Sequence, residues 1–313
     1  MYRIGVDLGG TKIAAGIVSD ACEIICKETV PTGMPCSPED IAEKIVGVAE
    51  AALKKSGLSW DDIVSVGIGS PGLIDATRGV VKFAGNLDFR DVPLSKLVEE
   101  KLSVKKAVFL ENDANAAAFG EYLAGSGRGT KNFIAVTLGT GVGGGIIVNE
   151  KLYSGSFHGG GEIGHMVTCV DGIPCGCGQK GCWEAYASGT ALIRDAKLAM
   201  KRCPESLLWE LCEGDSENLC GKIIFEAMRR GDLSAALVVN SYLKYVAMGI
   251  INLITVFQPE KVAIGGGICA EGDTILGPIK MYAKNSSCAN TSEIVIAELK
   301  NDAGIIGAAF LCQ

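Results

Sequence analysis

The sequence predicts a two-domain α/β protein in which one βββαβα unit occurs twice, facing itself across a cleft, and three observations carry that expectation. The chain opens on three short runs rich in β-branched residues, and the same pattern restarts at Phe133. Two glycine turns occupy matching places, Asp7-Leu8-Gly9-Gly10-Thr11 in the first copy and Leu138-Gly139-Thr140-Gly141 in the second. At 313 residues the chain is long enough for two cores.

Arg3 to Asp7, Ile13 to Ser19 and Glu23 to Val30 read as an antiparallel meander, separated by turn-forming residues. Ser37-Pro38-Glu39-Asp40 then supplies an N-cap, a proline at the first helical position and acid in the first turn. Ile41, Ile45, Val48 and Ala52 follow at helical spacing, and Gly57 ends the helix. Ile63 to Gly69 is a strand running into Ser70-Pro71-Gly72, Pro93 opens another helix, and Val108-Phe109-Leu110 is a strand that ends at Glu111-Asn112-Asp113. A helix runs from Ala114 to about Leu123. Phe133 to Leu138 and Gly145 to Asn149 are the first strands of the second copy, with later strands near Val262 and Ile294. Such a duplicated unit is the actin-like, or ribonuclease H-like, architecture. The expected domains are residues 1–120 and 121–301, with a C-terminal helix at 302–313 packing back on the first.

Composition narrows the function. A formal charge of −7 with no long basic run argues against a phosphate-backbone-binding surface. The amino terminus reaches Asp7 before an apolar stretch long enough for a signal peptide develops, so the expected location is the cytoplasm. Leu233 to Phe257 has the length of a membrane span, yet Asn240, Lys244 and Asn252 interrupt it, and it reads as a buried core helix. Thirteen cysteines, an odd number scattered through a large chain, argue against a disulfide scaffold.

Five motifs carry chemistry. In Asp7-Leu8-Gly9-Gly10-Thr11-Lys12 the glycines let backbone N–H groups approach an anion while Thr11 and Lys12 add donors, so the turn reads either as a phosphate cradle or as a plain hairpin. It is no Walker A loop, because the Gly-Lys-Thr order and the following helix are missing. Gly139-Thr140-Gly141-Val142-Gly143-Gly144 formally matches the dinucleotide fingerprint, but Ile146-Ile147-Val148 continues as a strand where that fold needs a helix; a second phosphate turn is expected. Gly265-Gly266-Gly267 closes the strand Val262 to Ile264 and would let backbone pass close to a flat ligand such as adenine, or form a simple strand-to-helix turn. Asp113 sits at the carboxyl end of a strand, where open α/β sheets place ligands, and reads as either a functional carboxylate or an N-cap.

His165, Cys175, Cys177 and Cys182 form the most specific local signal. Three thiolates and one imidazole at this spacing make a closed tetrahedral zinc site with no position left for a metal-bound water, so the Zn²⁺ is expected to be structural. The second histidine, His158, has no comparable neighbours and reads as a loop residue.

Together these motifs resemble the ROK family of bacterial sugar kinases and repressors over essentially the whole chain, most closely its glucokinases. The resemblance implies ATP and Mg²⁺ as cosubstrate and cofactor, with Asp113 as the general base that takes the proton of a hexose 6-hydroxyl. It further implies that Asn112, Glu162, His165 and Glu184 hydrogen-bond the other hydroxyls, with Gly72 and Asn86 in the remaining sugar-side loops. His165 would serve zinc and sugar through its two nitrogens. Asp7 would hold Mg²⁺ through water, and homodimers are common in the family.

Two readings from other classes compete. A sugar-responsive repressor of the same family needs a DNA-binding domain ahead of the first phosphate turn, which here begins at Asp7, so no such domain is expected. An actin-class assembly ATPase would share the duplicated fold but has no need of a polar sugar pocket braced by zinc. Within the kinase reading, N-acetylmannosamine, fructose and allose are rival substrates, and inorganic polyphosphate a rival donor.

Overall fold

The computed structural model describes residues 1–312. Its first sheet begins with the expected meander: β1 (Tyr2–Leu8), β2 (Lys12–Ser19) and β3 (Ile24–Pro31) are antiparallel, with Tyr2 opposite Ser19 and Leu8 opposite Ile13. Burial alternates along β3, as it must in an edge strand with one face on the core. Helix α1 (Pro38–Ser56) starts where the sequence says: Ser37 accepts from the Asp40 N–H, Pro38 begins the first turn, and Gly57 closes the end in the left-handed conformation. Its buried face, including Ile41, Ile45, Val48 and Ala52, packs on β2 and β3.

Next comes β4 (Ile63–Ser70), parallel to β1. A small antiparallel sheet that the sequence reading did not anticipate follows: β5 (Leu73–Asp75), β6 (Val80–Ala84) and β7 (Phe89–Val92). Helix α2 (Leu94–Lys101) leads to β8 (Val108–Asn112), parallel to β4, and to α3 (Asp113–Ala124).

The second sheet contains β9 (Phe133–Leu138), β10 (Val142–Val148), β11 (Lys151–Leu152), β12 (Lys261–Gly265) and β13 (Glu293–Ile296). Strand order is β3-β2-β1-β4-β8 in the first sheet and β11-β10-β9-β12-β13 in the second, the same path traced twice. The meander's third strand has shrunk to two residues in the second copy. The second strand starts at Val142 rather than Gly145, because Gly143 to Gly145 pair within the ladder instead of turning. A Cβ on Gly145 would lie 2.5 Å from that of Ala118, so only glycine fits against α3 there.

Two compact units divide the chain. One holds Met1–Ala135, Gly144–Gly161 and Ala297–Gln313; the other holds Val136–Gly143 and Glu162–Ile296. In the second unit lie α4 (Glu184–Ala187), α5 (Gly189–Arg202), α6 (Leu207–Leu211), α7 (Gly221–Arg229), α8 (Leu233–Phe257) and α9 (Asp273–Lys284). By length and composition α8 could cross a membrane, but half of its most apolar window is buried within the protein, with α5, α7 and α9 packed against it. All thirteen cysteines are free.

The C-terminal helix α10 (Ala303–Ala309), shorter than the expected 302–313, lies in the first unit against β1, β4 and α3. Gln313, included in that expectation, lies outside the described residues. The helix comes so close that a Cβ on Gly67 would sit 1.8 Å from the Ala308 carbonyl oxygen and one on Gly5 1.9 Å from that of Ile305. Gly67→Ala is therefore expected to force α10 off the sheet and lower stability by about 3 kcal/mol, measured as the shift in denaturation midpoint.

Candidate active site and metal centre

In the first unit the β1–β2 connection folds as a tight turn in which the Gly9 N–H donates to the Lys12 carbonyl at 2.9 Å. Thr11 and Lys12 are exposed, while Asp7, the penultimate residue of β1, is largely buried. Asn86 stands beside this turn: a Cβ on Gly10 would be 3.5 Å from its side-chain nitrogen.

Asp113 opens α3 at the carboxyl end of β8, but it is not the cap. That position belongs to Asn112, whose Oδ1 accepts from the N–H groups of Ala114 at 2.9 Å and Asn115 at 3.1 Å. Asn112 is thereby committed: its Nδ2 also donates to the Gly72 carbonyl at 3.0 Å. Gly72, with φ at +99°, lies where a Cβ would meet the Phe83 carbonyl oxygen at 2.1 Å. The helix end thus leaves the Asp113 carboxylate with one backbone contact, from the Ala114 N–H at 2.9 Å.

Burial pushes the Asp113 carboxyl above its ordinary value, and pushes Asp7 up to about 6, where the negative charge of Asp113 adds to burial and Lys12 partly offsets both. The two carboxylates titrate as a pair, and hydrogen bonds from backbone N–H groups favour the charged form of Asp113. This pair has a stability signature. Below about pH 4 both folded and unfolded chains carry a protonated Asp7 and nothing is lost; as pH rises to about 6 the folded state surrenders a proton it holds more tightly. Asp7→Asn is expected to raise the stability of the ligand-free protein by up to about 3 kcal/mol above pH 6, the gain vanishing toward pH 4. Denaturant titrations at the two pH values measure it.

The second unit holds the other glycine turn. Here the Gly139 N–H donates to Gly141 at 3.0 Å, the Gly189 N–H donates to the Gly139 carbonyl at 2.8 Å, and the Thr190 hydroxyl donates to the Thr140 carbonyl at 2.7 Å. The turn forms one wall of a cavity of about 790 Å³, whose other walls are Leu192, Ile193, Phe225, Gly267 and Ile268. An apolar slot beside a run of backbone N–H groups suits a flat base joined to phosphates. Gly265 ends β12 and does not line the slot, and Gly266 packs behind its wall: Gly266 has φ at +100°, and a Cβ on it would strike the carbonyl oxygen of Leu138, a lining residue, at 2.1 Å. Thr190, Phe225 and the ion pair between Arg229 and Glu271 at the rim were absent from the sequence reading; nothing in the local sequence marks them.

The four predicted metal ligands converge in the same unit, each offering an atom within 4.8 Å of every other. Cys177 and Cys182 sulfurs are 3.6 Å apart, as are the Cys175 sulfur and His165 Nδ1. A tetrahedron built on Zn–S bonds of ~2.3 Å has edges of ~3.8 Å, so the donor set and its dimensions fit Zn²⁺. Gly178, with φ at +92°, allows the tight knuckle in which the Cys175 N–H donates to the Gln179 carbonyl at 2.8 Å. Burial, reinforced by its sulfur neighbours, drives the Cys182 thiol up to about 12, as expected of a ligand whose thiolate needs a cation beside it.

His165 directs Nδ1 into this cluster and so leaves Nε2 on the opposite side of the ring. Glu162 begins the 3₁₀ turn that carries His165, and Glu184 follows Trp183, whose indole donates to the Tyr245 carbonyl at 2.7 Å and ties the segment to α8. One oxygen of Glu184 accepts from the Val142 N–H at 2.9 Å, just beyond the phosphate turn. Metal cluster, Glu184 and glycine turn are therefore one connected piece.

Comparison with known proteins adds the following. The model of the ROK family matches residues 3–313. A glucokinase of Streptomyces coelicolor is 42% identical over 99% of this chain and 97% of its own length, and one of Thermotoga maritima is 40% identical over 99% and 96%. The crystal structure of a ROK family glucokinase from Streptomyces griseus in complex with glucose and AMPPNP aligns with a TM-score of 0.83 at 40% identity, covering 99% of both chains.

Proposed function

The chain belongs to the ROK family, and from that premise we propose that it transfers the γ-phosphate of ATP to the 6-hydroxyl of glucose. It is an ATP-dependent hexose kinase with the actin-like, ribonuclease H-like fold of its relatives. The observation that carries the assignment of roles is Asp113: Asn112 does the capping, so the Asp113 carboxylate is left for chemistry.

In this reading the Asp113 carboxylate takes the 6-hydroxyl proton while that oxygen attacks the γ-phosphorus and the bond to the departing ADP oxygen breaks. The N–H groups of Gly10 and Gly141, with Thr11, Lys12 and Thr140, hold the phosphates, while those of Gly9 and Gly139 close their own turns; Gly266 and Gly267 bound the adenine slot. Mg²⁺, when bound with the nucleotide, neutralises phosphate charge, and Asp7, a buried carboxylate held next to another of like charge, is the residue we assign to it. Glu162, Glu184 and His165 Nε2 orient the sugar hydroxyls, along with Asn86 and the second N–H of Asn112 Nδ2, the one not given to the Gly72 carbonyl. His165, Cys175, Cys177 and Cys182 hold a structural Zn²⁺ that fixes the imidazole plane. Residues 1–120 with 302–313 supply the base, and 121–301 the zinc centre and nucleotide wall. We further infer a cytoplasmic homodimer.

The test is ADP release from Mg-ATP across glucose, N-acetylmannosamine, fructose, allose and no sugar. Turnover confined to glucose is the expected result. Turnover on another sugar moves the specificity within the family, and sugar-independent turnover would overturn the kinase assignment in favour of an assembly ATPase.

A further inference from the structure

The first phosphate turn is held from behind. The Thr32 hydroxyl donates to the Gly9 carbonyl at 2.7 Å, and the Thr32 N–H donates to the Thr11 carbonyl at 3.0 Å. Thr32 itself is fully buried at 0% exposure, and its own carbonyl accepts from Lys44 Nζ at 2.6 Å. That ammonium also reaches the Cys36 sulfur at 3.3 Å. Three elements therefore meet behind the turn: the end of β3, the loop after it, and α1.

Geometry gives this arrangement a consequence for ligands. The Gly9 carbonyl and the Gly10 N–H belong to one trans peptide and point in opposite directions. Fixing the carbonyl backward into the protein aims the N–H forward, toward an anion over the turn. A glycine pair without such an anchor could rotate this peptide and present its carbonyl to the phosphate instead.

The duplicated turn is held differently: the Gly139 carbonyl, which matches that of Gly9, accepts from the Gly189 N–H at 2.8 Å. There the Thr190 hydroxyl holds the Thr140 carbonyl at 2.7 Å. Thr190 lies in α5, whereas Thr32 follows β3, so the two threonines do not correspond by duplication. What recurs is an anchored turn carbonyl; Thr190 is exposed and lines the cavity, so the buried hydroxyl behind the turn belongs to the first copy.

We propose that Thr32, braced by Lys44, is a positioning residue for the phosphate donor, acting through the direction of the Gly10 N–H. The inference rests on the kinase reading for the identity of the donor. Thr32→Val keeps the shape and removes the donor hydroxyl; Thr32→Ser restores it. Calorimetric titration with Mg-AMPPNP in the absence of sugar is expected to show about tenfold weaker binding for Thr32→Val and binding within about threefold of wild type for Thr32→Ser. In steady state the KM for ATP should rise by a similar factor while the KM for glucose stays within about twofold. Wild-type nucleotide affinity in Thr32→Val would overturn the proposal. So would an equal loss in both variants, or equal loss for both substrates, since either means that the residue only supports the fold. Should Thr32→Val fail to fold, Lys44→Met carries the test, with weaker nucleotide binding expected and unchanged binding overturning it. A wild-type protein that binds AMPPNP but never releases ADP with sugar would sink the kinase reading and leave this one standing.

Discussion

Asp113→Asn is expected to cut glucose-dependent ADP release by ~10²–10⁴-fold while glucose binding stays within a few-fold of wild type. The substitution is nearly isosteric, and the cap at the start of α3 is Asn112, which also holds the Asn115 N–H. The Ala114 N–H that the carboxylate accepts can still be met by the amide oxygen. What disappears is a group able to take a proton. Because burial raises the Asp113 pKa, wild-type activity should fall as the solution is acidified through that raised value, and the acid limb should be missing from the residual activity of the mutant. A mutant within a few-fold of wild type, or one with the same acid limb, would remove Asp113 from the role of base. Asp7 sharpens the measurement. Its carboxyl, pushed up to about 6 by burial and by Asp113, ionises more readily beside a bound cation, so any part of the acid limb that belongs to Asp7 should move to lower pH as Mg²⁺ is raised.

How far these roles were legible in the sequence depended on how local their causes are. The meander and α1 were readable because their determinants lie within a few residues: a capping serine, an N1 proline, a closing glycine. The metal site was readable for the same reason, with three of its ligands inside eight residues and His165 ten residues upstream. The duplication showed through two matching turns even though the second copy has lost most of its third strand. By contrast β5, β6 and β7 are three to five residues long, with Asp88 just before β7 and Asp91 within it in the left-handed conformation, so they look like turn sequence. Asn112 and Asp113 are both good capping residues at adjacent positions, and only the backbone geometry decides between them. Thr32, Thr190 and Phe225 act across tertiary contacts and have no spacing that could announce them.

Cys177→Ser is expected to abolish zinc binding, reducing the metal from about one ion per chain to near zero by elemental analysis, and to raise the KM for glucose by at least about 10-fold. The argument runs through rigidity. The segment from Pro174 to Lys180 is mostly exposed and buries little apolar surface of its own. Among the contacts that shape it are the Cys175–Gln179 backbone pair and the link of its sulfurs to the buried Cys182. Without a cation, three thiols and an imidazole at 3.6 Å spacings have no charge to gather around, and the exposed knuckle is free to move away. His165 would then lose the constraint on its ring, so sugar affinity should fall along with thermal stability. Cys288→Ser, a change at an exposed cysteine outside the cluster, is the matched control and should leave zinc content and KM untouched. Unchanged zinc in Cys177→Ser would defeat the assigned ligand set. Loss of zinc with unaltered glucose kinetics would keep the metal and deny its hold on the sugar site.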